Sequence, residues 1–227
     1  MSGGTAATAA YQLGKNRNSQ TNKPEFDPLL QTPEGTKSEF ITRNISPKSN
    51  EYQKDLDCNV GPWIMAPVMV NCVRRSNALL HYSKEFEYGD SQVKNASWSA
   101  KLHQTATAMS LGAAIVLGMT RFLPQPGEGP DRQTMEEGYM TLHGRGVMIK
   151  NGKEMVLHSK FHFNKDIGYL YTAALLAETG MVLLEKHGKL SGGVMTPAVA
   201  LGSDLTQRIL KTMDTSFELK EAQLQVV

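Results

Sequence analysis

The chain has 227 residues, of which 40% are hydrophobic and 20% charged, and its net charge is +2. That length supports one or two domains with a real core. The charge is small and scattered, with no basic run longer than Arg74-Arg75, so nucleic acid is not an expected partner.

Residues 1–58 form one compositional unit rich in Asn, Gln, Ser, Thr, Lys and Pro, with isolated Tyr11, Leu29-Leu30, Phe40-Ile41 and Ile45. No period of 3.6 or 2.0 is sustained, so the stretch cannot bury enough apolar surface alone to offset its ordering entropy. It reads as an extended or disordered N-terminal arm. Pro24, Pro28, Pro33 and Pro47 would keep it extended, with the spaced hydrophobics as anchors on another surface. The first twenty residues lack the apolar core of a secretory signal. They contain Ala, Ser, Thr, Lys15 and Arg17 and no acid, which fits a mitochondrial address. Cys58 and Cys72 are too few for a disulfide scaffold and read as free thiols.

The globular part, residues 59–227, begins with a helix after Pro67, where Val68, Cys72, Val73, Ser76 and Leu79-Leu80 recur at helical spacing. Residues 85–96 are extended, with Phe86 and Tyr88 on one face. Over 99–122, Leu102, Ala106, Met109, Ala113, Val116-Leu117 and Thr120 make a helical stripe. Its centre, residues 106–119, is apolar almost all round but short of the roughly 20 residues a membrane span needs, and it reads as a buried or interfacial helix. A rigid loop covers 124–130. Two extended runs, 139–150 and 154–163, meet at Asn151-Gly152, a strong hairpin signal because a type I′ turn needs positive φ twice. Thr141, His143, Arg145 and Val147 share one face, and Met140, Leu142 and Met148 the other, with Gly144 and Gly146 marking a bulge. His158 and His162 lie four apart on a strand, too far apart for a metal site. Asp166 caps a helix whose buried stripe is Leu170, Ala173-Ala174, Ala177, Met181 and Leu184, with Glu178 and Glu185 on its wet side and Gly188 at its end. Ser203-Asp204 starts a short helix with Leu205, Ile209 and Met213 inward, and 217–219 read as a last strand.

The chemistry-bearing motifs are few. A dinucleotide site needs a glycine-rich turn between strand and helix. Gly127-Glu128-Gly129 runs into Pro130, and Gly144-Arg145-Gly146 lies in a hairpin arm. There is no Walker motif and no Gly-x-Ser-x-Gly elbow. No cofactor, metal or catalytic residue is therefore expected in this polypeptide.

Four segments carry a resemblance: GPWIMAPVMVNCVRRSNALL (61–80), FLPQPGEGP (122–130), NKDIGYLYTAALLAE (164–178) and GGVMTPAVALG (192–202). In that order they resemble the C-terminal portion of the saccharopine dehydrogenase-like oxidoreductases, which include the trans-acting enoyl reductases. The resemblance implies cleft positions at Arg74, Arg75, Tyr169, Thr172, Gly192, Gly193 and Thr196, beside Gly168 and Pro197. A guanidinium suits a carboxylate or phosphate. Equally, one arginine pairs with an acidic neighbour while the other is solvated. The paired glycines serve close packing or positive φ, or else a ligand.

The expected fold is α+β: a mixed or antiparallel sheet with a long β-hairpin covered by helices, preceded by the N-terminal arm. The family's enzymes begin with a dinucleotide-binding Rossmann domain, which this sequence does not display. The expectation drawn from that is a non-catalytic, repurposed enzyme domain, a pseudoenzyme acting as an accessory subunit of a larger mitochondrial membrane complex. Other subunits would contact the arm and the face left by the missing Rossmann domain, and 106–119 would touch membrane or lipid. A second reading is the substrate-domain half of a split NAD(P)-dependent oxidoreductase, with Arg74, Tyr169 and Thr196 facing a shared cleft. A third is a lipid-binding module.

Overall fold

The computed structural model describes residues 27–63, 65–94, 127–150 and 152–223. The apolar stretch at 106–119, the positions Tyr11 and Pro24, and Asn151 lie outside these. The fold is α+β and divides into two compact units. The first comprises the described residues up to Gly129 together with 193–199, and the second comprises 130–192 and the residues from Ala200 onward.

In the first unit, a 3-10 turn at Pro28–Leu30 starts from Asp27, whose carboxylate accepts the Leu29 amide at 3.0 Å. Strand β1, Ile41–Asn44, runs parallel to β4, Glu85–Tyr88. A separate antiparallel sheet has the order β2-β3-β5, with β2 Glu51–Gln53, β3 Cys58–Pro62 and β5 Ser91–Lys94. The expected boundary at residue 58 thus falls beside a strand pairing, since Gln53 is in register with Cys58. Where an extended segment was expected, 27–58 supplies two strands and buries Leu30, Ser38 and Thr42.

Helix α1, Ala66–Leu80, has Pro67 in its first turn, where the missing N–H has no intrahelical partner to lose. It ends at left-handed His81, whose amide donates to the Asn77 carbonyl at 2.9 Å. Its buried residues are Ala66, Val70, Ser76, Asn77 and Ala78, while Val68, Cys72 and Leu80 are exposed. The expected stripe is thus split: Ser76 is buried and Val73 and Leu79 are half-buried, while its other members face outward. The helix docks through small and hydrogen-bonding side chains that approach backbone closely, which an apolar count does not see. On β4 the expectation holds: Phe86 and Tyr88 are half-buried between exposed Glu85 and Glu87.

The second unit opens with α2, Arg132–Glu137, capped by Asp131 accepting the Thr134 amide at 2.7 Å. Strands β6, Met140–Lys150, and β7, Lys153–Phe163, form the expected hairpin, with β8, Thr215–Gln223, on the other side of β7. The register runs unbroken from Met140↔Phe163 to Lys150↔Lys153, leaving a two-residue loop with Gly152 at φ 72°. No bulge interrupts it at Gly144 or Gly146. Gly144 instead sits opposite Ser159, and a Cβ there would lie 2.4 Å from the Ser159 hydroxyl. That glycine answers a close side-chain approach.

Helix α3, Leu170–Glu185, is followed by α4, Pro197–Leu201, and α5, Ser203–Thr212. Asp166 caps α3, accepting the amides of Tyr169 at 2.7 Å and Leu170 at 3.2 Å. Tyr171 and Val182 are the buried residues of α3, whereas Met181 and Leu184 of the expected stripe are exposed. Glu178 is not on a wet face: it and Glu185 pair with Arg208 of α5. An α3 apolar on most sides gives its periodicity little power to choose a face, and the ion pairs to α5 mark the one it uses. In α5, Ile209 is buried and Leu205 half-buried, as expected.

Candidate functional site

The densest cluster of predicted site residues gathers in the first unit, where the C-terminal half of α1 meets residues 193–196. Arg74 forms an ion pair with Asp27 and also donates to the Asn71 side-chain oxygen at 3.4 Å. Arg75 is spent on backbone: it donates to the carbonyls of Leu29 at 3.4 Å, of Gln31, and of Val194 at 3.3 Å. Of the two expected roles for this pair, the acidic neighbour is present for Arg74. Arg75 instead ties two chain segments to the helix.

Ser76 and Thr196 place their hydroxyl oxygens 2.7 Å apart. The Ser76 hydroxyl donates to the Cys72 carbonyl at 2.9 Å, and Thr196 Oγ1 accepts the Val199 amide at 3.3 Å. With the Ser76 proton committed to Cys72, Thr196 is the donor of the pair. Neither hydroxyl keeps a spare proton, so the pair positions residues 193–196 and is not set up for acid–base chemistry. Gly193 has φ 140°, and Val194 beside it is 88% exposed. The cluster thus holds a glycine-containing loop with an outward apolar side chain.

Asn77, the next residue of the same motif, is fully buried. Its amide nitrogen donates to the Ile41 carbonyl at 3.3 Å, the Thr42 hydroxyl at 3.1 Å and the Ser83 carbonyl at 3.1 Å, and its oxygen accepts the Ser83 amide at 3.1 Å. Sequence reasoning overlooked Asn77 and Asp27. An Asn between two apolar-flanked helical positions was the available signal for the first. Nothing local marks Asp27.

The remaining predicted positions lie in the second unit. Tyr169 and Thr172 sit at the start of α3, where Thr172 donates to the Ile167 carbonyl, and Gly192 is exposed. That unit also carries an open depression of about 500 Å³ lined by Val182, Glu185, Lys186, Asp204, Arg208 and Lys211. Its charges largely answer one another, Arg208 with two glutamates and Lys186 with Asp204. Hydrogen bonds from Arg208 and Thr212 hold the Glu178 carboxyl below the usual glutamate range.

The described residues do not fit a dinucleotide. Among them the glycine that immediately precedes a helix with positive φ is Gly202, which follows α4 and not a strand, and Asp204 in the first turn would repel a pyrophosphate. No group of three His, Cys, Asp or Glu among the described residues could hold a metal ion. No helix among them is long and apolar enough to cross a membrane.

No protein-family model matches the chain, and no solved structure matches it. Curated relatives do. A trans-acting enoyl reductase of Mycobacterium tuberculosis is 31% identical over 164 residues, covering 66% of this chain and 38% of the relative. One from Mycobacterium ulcerans is 30% identical over 167 residues, covering 67% and 39%. A putative trans-acting enoyl reductase of M. tuberculosis is 28% identical over 230 residues, covering 92% of this chain and 54% of the relative. The chain therefore spans between two-fifths and about half the length of these relatives. Their names are those of enzymes, and their organisms are bacteria. This overturns the expected non-catalytic accessory subunit of a mitochondrial complex, an expectation that weighed a missing motif above the motifs present. By sequence the chain is a distant homologue of the mycobacterial trans-acting enoyl reductases.

Proposed function

We propose that the chain is the substrate-side part of an enoyl reductase acting in trans, on an unsaturated acyl group presented by another polypeptide. The observation that carries this is the homology to proteins of that name. In this reading residues 59–227 correspond to the C-terminal region of a saccharopine dehydrogenase-like oxidoreductase, with 1–58 as its arm. Reducing an enoyl group adds a hydride and a proton across the carbon–carbon double bond. The hydride donor, a reduced nicotinamide dinucleotide, would be held outside the described residues, which lack a pyrophosphate cradle. What this chain contributes is shape: Arg75, Ser76 and Thr196 fix the loop that turns Val194 outward, an apolar contact for an acyl chain.

The test is capture of the full chain from extract of its native cells, followed by assay of the eluate for NAD(P)H-dependent reduction of an enoyl thioester. Activity should elute with the chain and with a dinucleotide-binding region, on this or a second polypeptide. Arg75→Ala, which frees the loop, should raise KM more than it lowers kcat. Activity that persists in extract after the chain is immunodepleted refutes the proposal, as does an eluate with no reductase activity.

A further inference from the structure

Strand β8 ends the β6-β7-β8 sheet on one side. The direction of its backbone groups follows from one bond. The Asn164 amide donates to the Asp214 carbonyl at 3.3 Å, one step beyond the Phe163↔Thr215 pair and in the same register. Antiparallel partners alternate between hydrogen-bonded and non-hydrogen-bonded pairs. Ser216, Glu218 and Lys220 therefore turn their N–H and C=O toward β7, and Phe217, Leu219 and Glu221 turn theirs outward. The hairpin agrees, because a two-residue loop closes on a bonded pair, here Lys150↔Lys153. That assigns the odd positions of β7 to β6 and the even ones to β8. The outward groups of Phe217, Leu219 and Glu221 have no backbone partner among the described residues. Such an edge is ready to take another strand.

We infer that this edge pairs with the same edge of a second copy, antiparallel about a two-fold axis at Leu219, so that two three-stranded sheets become one. Leu219 is the midpoint of the nine residues of β8, so this register uses the whole strand. It is also the register that the charges select. Glu218 of each copy stands opposite Lys220 of the other, at non-hydrogen-bonded positions where side chains come closest. Moving the axis by one residue sets Glu218 against Glu218, or Lys220 against Lys220. Moving it to Glu221 sets that acid against itself. Moving it to Phe217 leaves residues 220–223 running past the start of the partner strand. Within its own chain Glu218 has Lys160 and Lys220 each at 3.9 Å, too long for a direct hydrogen bond, so its carboxylate is open to a nearer cation. The β6 edge is not equivalent: its midpoint is Arg145, and full-length self-pairing there would set like charges opposite. At the β8 edge, Leu219 pairs with Leu219 and Phe217 with Glu221 twice, which gives about six backbone hydrogen bonds. The two-fold closes the assembly at two copies. The contact is one strand wide, so the dimer is concentration-dependent.

The inference is independent of the reductase reading and is tested on the full chain by sedimentation velocity across a dilution series. The expected result is a shift toward twice the monomer mass with concentration. Lys220→Glu, at a side chain 80% exposed, should weaken the dimer about tenfold or more, because two attractive pairs become repulsive. Glu218→Lys should do the same. The double reversal Glu218→Lys with Lys220→Glu restores both pairs with their signs exchanged and should bring the dimer back. Far-ultraviolet circular dichroism checks that each variant is folded. In a C58S/C72S background, Leu219→Cys should cross-link copies under mild oxidation, since the two Cα atoms would lie about 5.5 Å apart. Val147→Cys, on the β6 edge, should not. A monomer at every concentration overturns the inference, as does a dimer indifferent to Lys220→Glu or a folded double reversal that stays monomeric. Equal cross-linking at 147 and 219 overturns it too. If a strand of another polypeptide is what takes this edge, the purified chain stays monomeric and Leu219→Cys fails to cross-link, which also counts against it.

Discussion

Replacing Asn77 by Ala should destabilise the first unit by about 3 to 4 kcal/mol. The side chain is fully buried and makes four hydrogen bonds, three of them at 3.1 Å. A net hydrogen bond contributes about 1 kcal/mol, and a buried partner left unmatched costs about 1 to 3 kcal/mol. Ser83 loses partners for both its amide and its carbonyl, while the Thr42 hydroxyl can rotate toward another acceptor. Three bonds at about 1 kcal/mol, with a fraction more for the space the amide vacates, give the total. In urea, with a slope near 2 kcal/mol per molar, the midpoint should fall by roughly 1.5 to 2 M. Hydrogen exchange adds a local readout, because the Ser83 amide should lose protection more than the amides of β7. Asn77→Asp sharpens the test. It keeps the acceptor for the Ser83 amide but loses both donors and sets a carboxylate against two carbonyls. Protonation restores one donor, so its deficit relative to wild type should be larger at pH 7 than at pH 4. A midpoint shift below about 0.5 M for Asn77→Ala, or a pH-independent deficit for Asn77→Asp, would show that this amide does not fasten α1 to β1.

Three further outcomes are expected. Glu178 has a folded pKa below its ordinary value, so its contribution is present above about pH 4.3 and lost as pH falls through the folded value. Thermal melts of Arg208→Leu should show a shallower acid limb than wild type, and an identical limb would contradict the pairing. Asp166→Ala should cost about 1 kcal/mol through the lost cap of α3, with Asp166→Asn recovering most of it in the same melts. Gly144→Ala should cost about 1 kcal/mol by forcing the Ser159 hydroxyl out of its rotamer, and the double variant Gly144→Ala with Ser159→Ala should remove that cost. Additive losses would place the strain elsewhere.

The second unit was more legible from sequence than the first. Asn151-Gly152 between two long alternating runs encodes a hairpin locally, and the observed register is the one a two-residue turn dictates. Asp166 likewise announces a helix start through short-range hydrogen bonding, whereas α5 begins at the expected Ser203 with Gly202 in the cap position and no side-chain cap bond. The strands at 41–44 and 51–53 carry no such signal. Both are short and polar-flanked: 41–44 is partnered by the distant 85–88, and 51–53, paired with the nearby 58–60, is too brief to show a period. The α1 face was only partly read for a related reason: Asn77, outside the expected stripe, is buried because of partners at 41, 42 and 83. The same holds for α3, where the choice of face is made by Arg208 rather than by its apolar pattern. At the candidate site, the sequence indicated the motifs but not that Arg75 would be occupied by backbone carbonyls.

The contacts that join α1 to residues 194 and 196 also order events in time. Arg75 reaches a carbonyl 119 positions later, and Ser76 a hydroxyl 120 positions later. During synthesis at 5 to 20 residues per second, α1 emerges roughly 6 to 24 seconds before its last partners. Closing a loop of that length costs roughly 4 kcal/mol of chain entropy, charged before any of these bonds forms. The nascent helix can already pair Arg74 with Asp27 and Arg75 with the carbonyls of Leu29 and Gln31, but the bonds of Arg75 to Val194 and of Ser76 to Thr196 must wait, while the β6–β7 hairpin, whose strands are adjacent in sequence, can assemble first. Whatever meets the chain on the ribosome meets it with the candidate site still open.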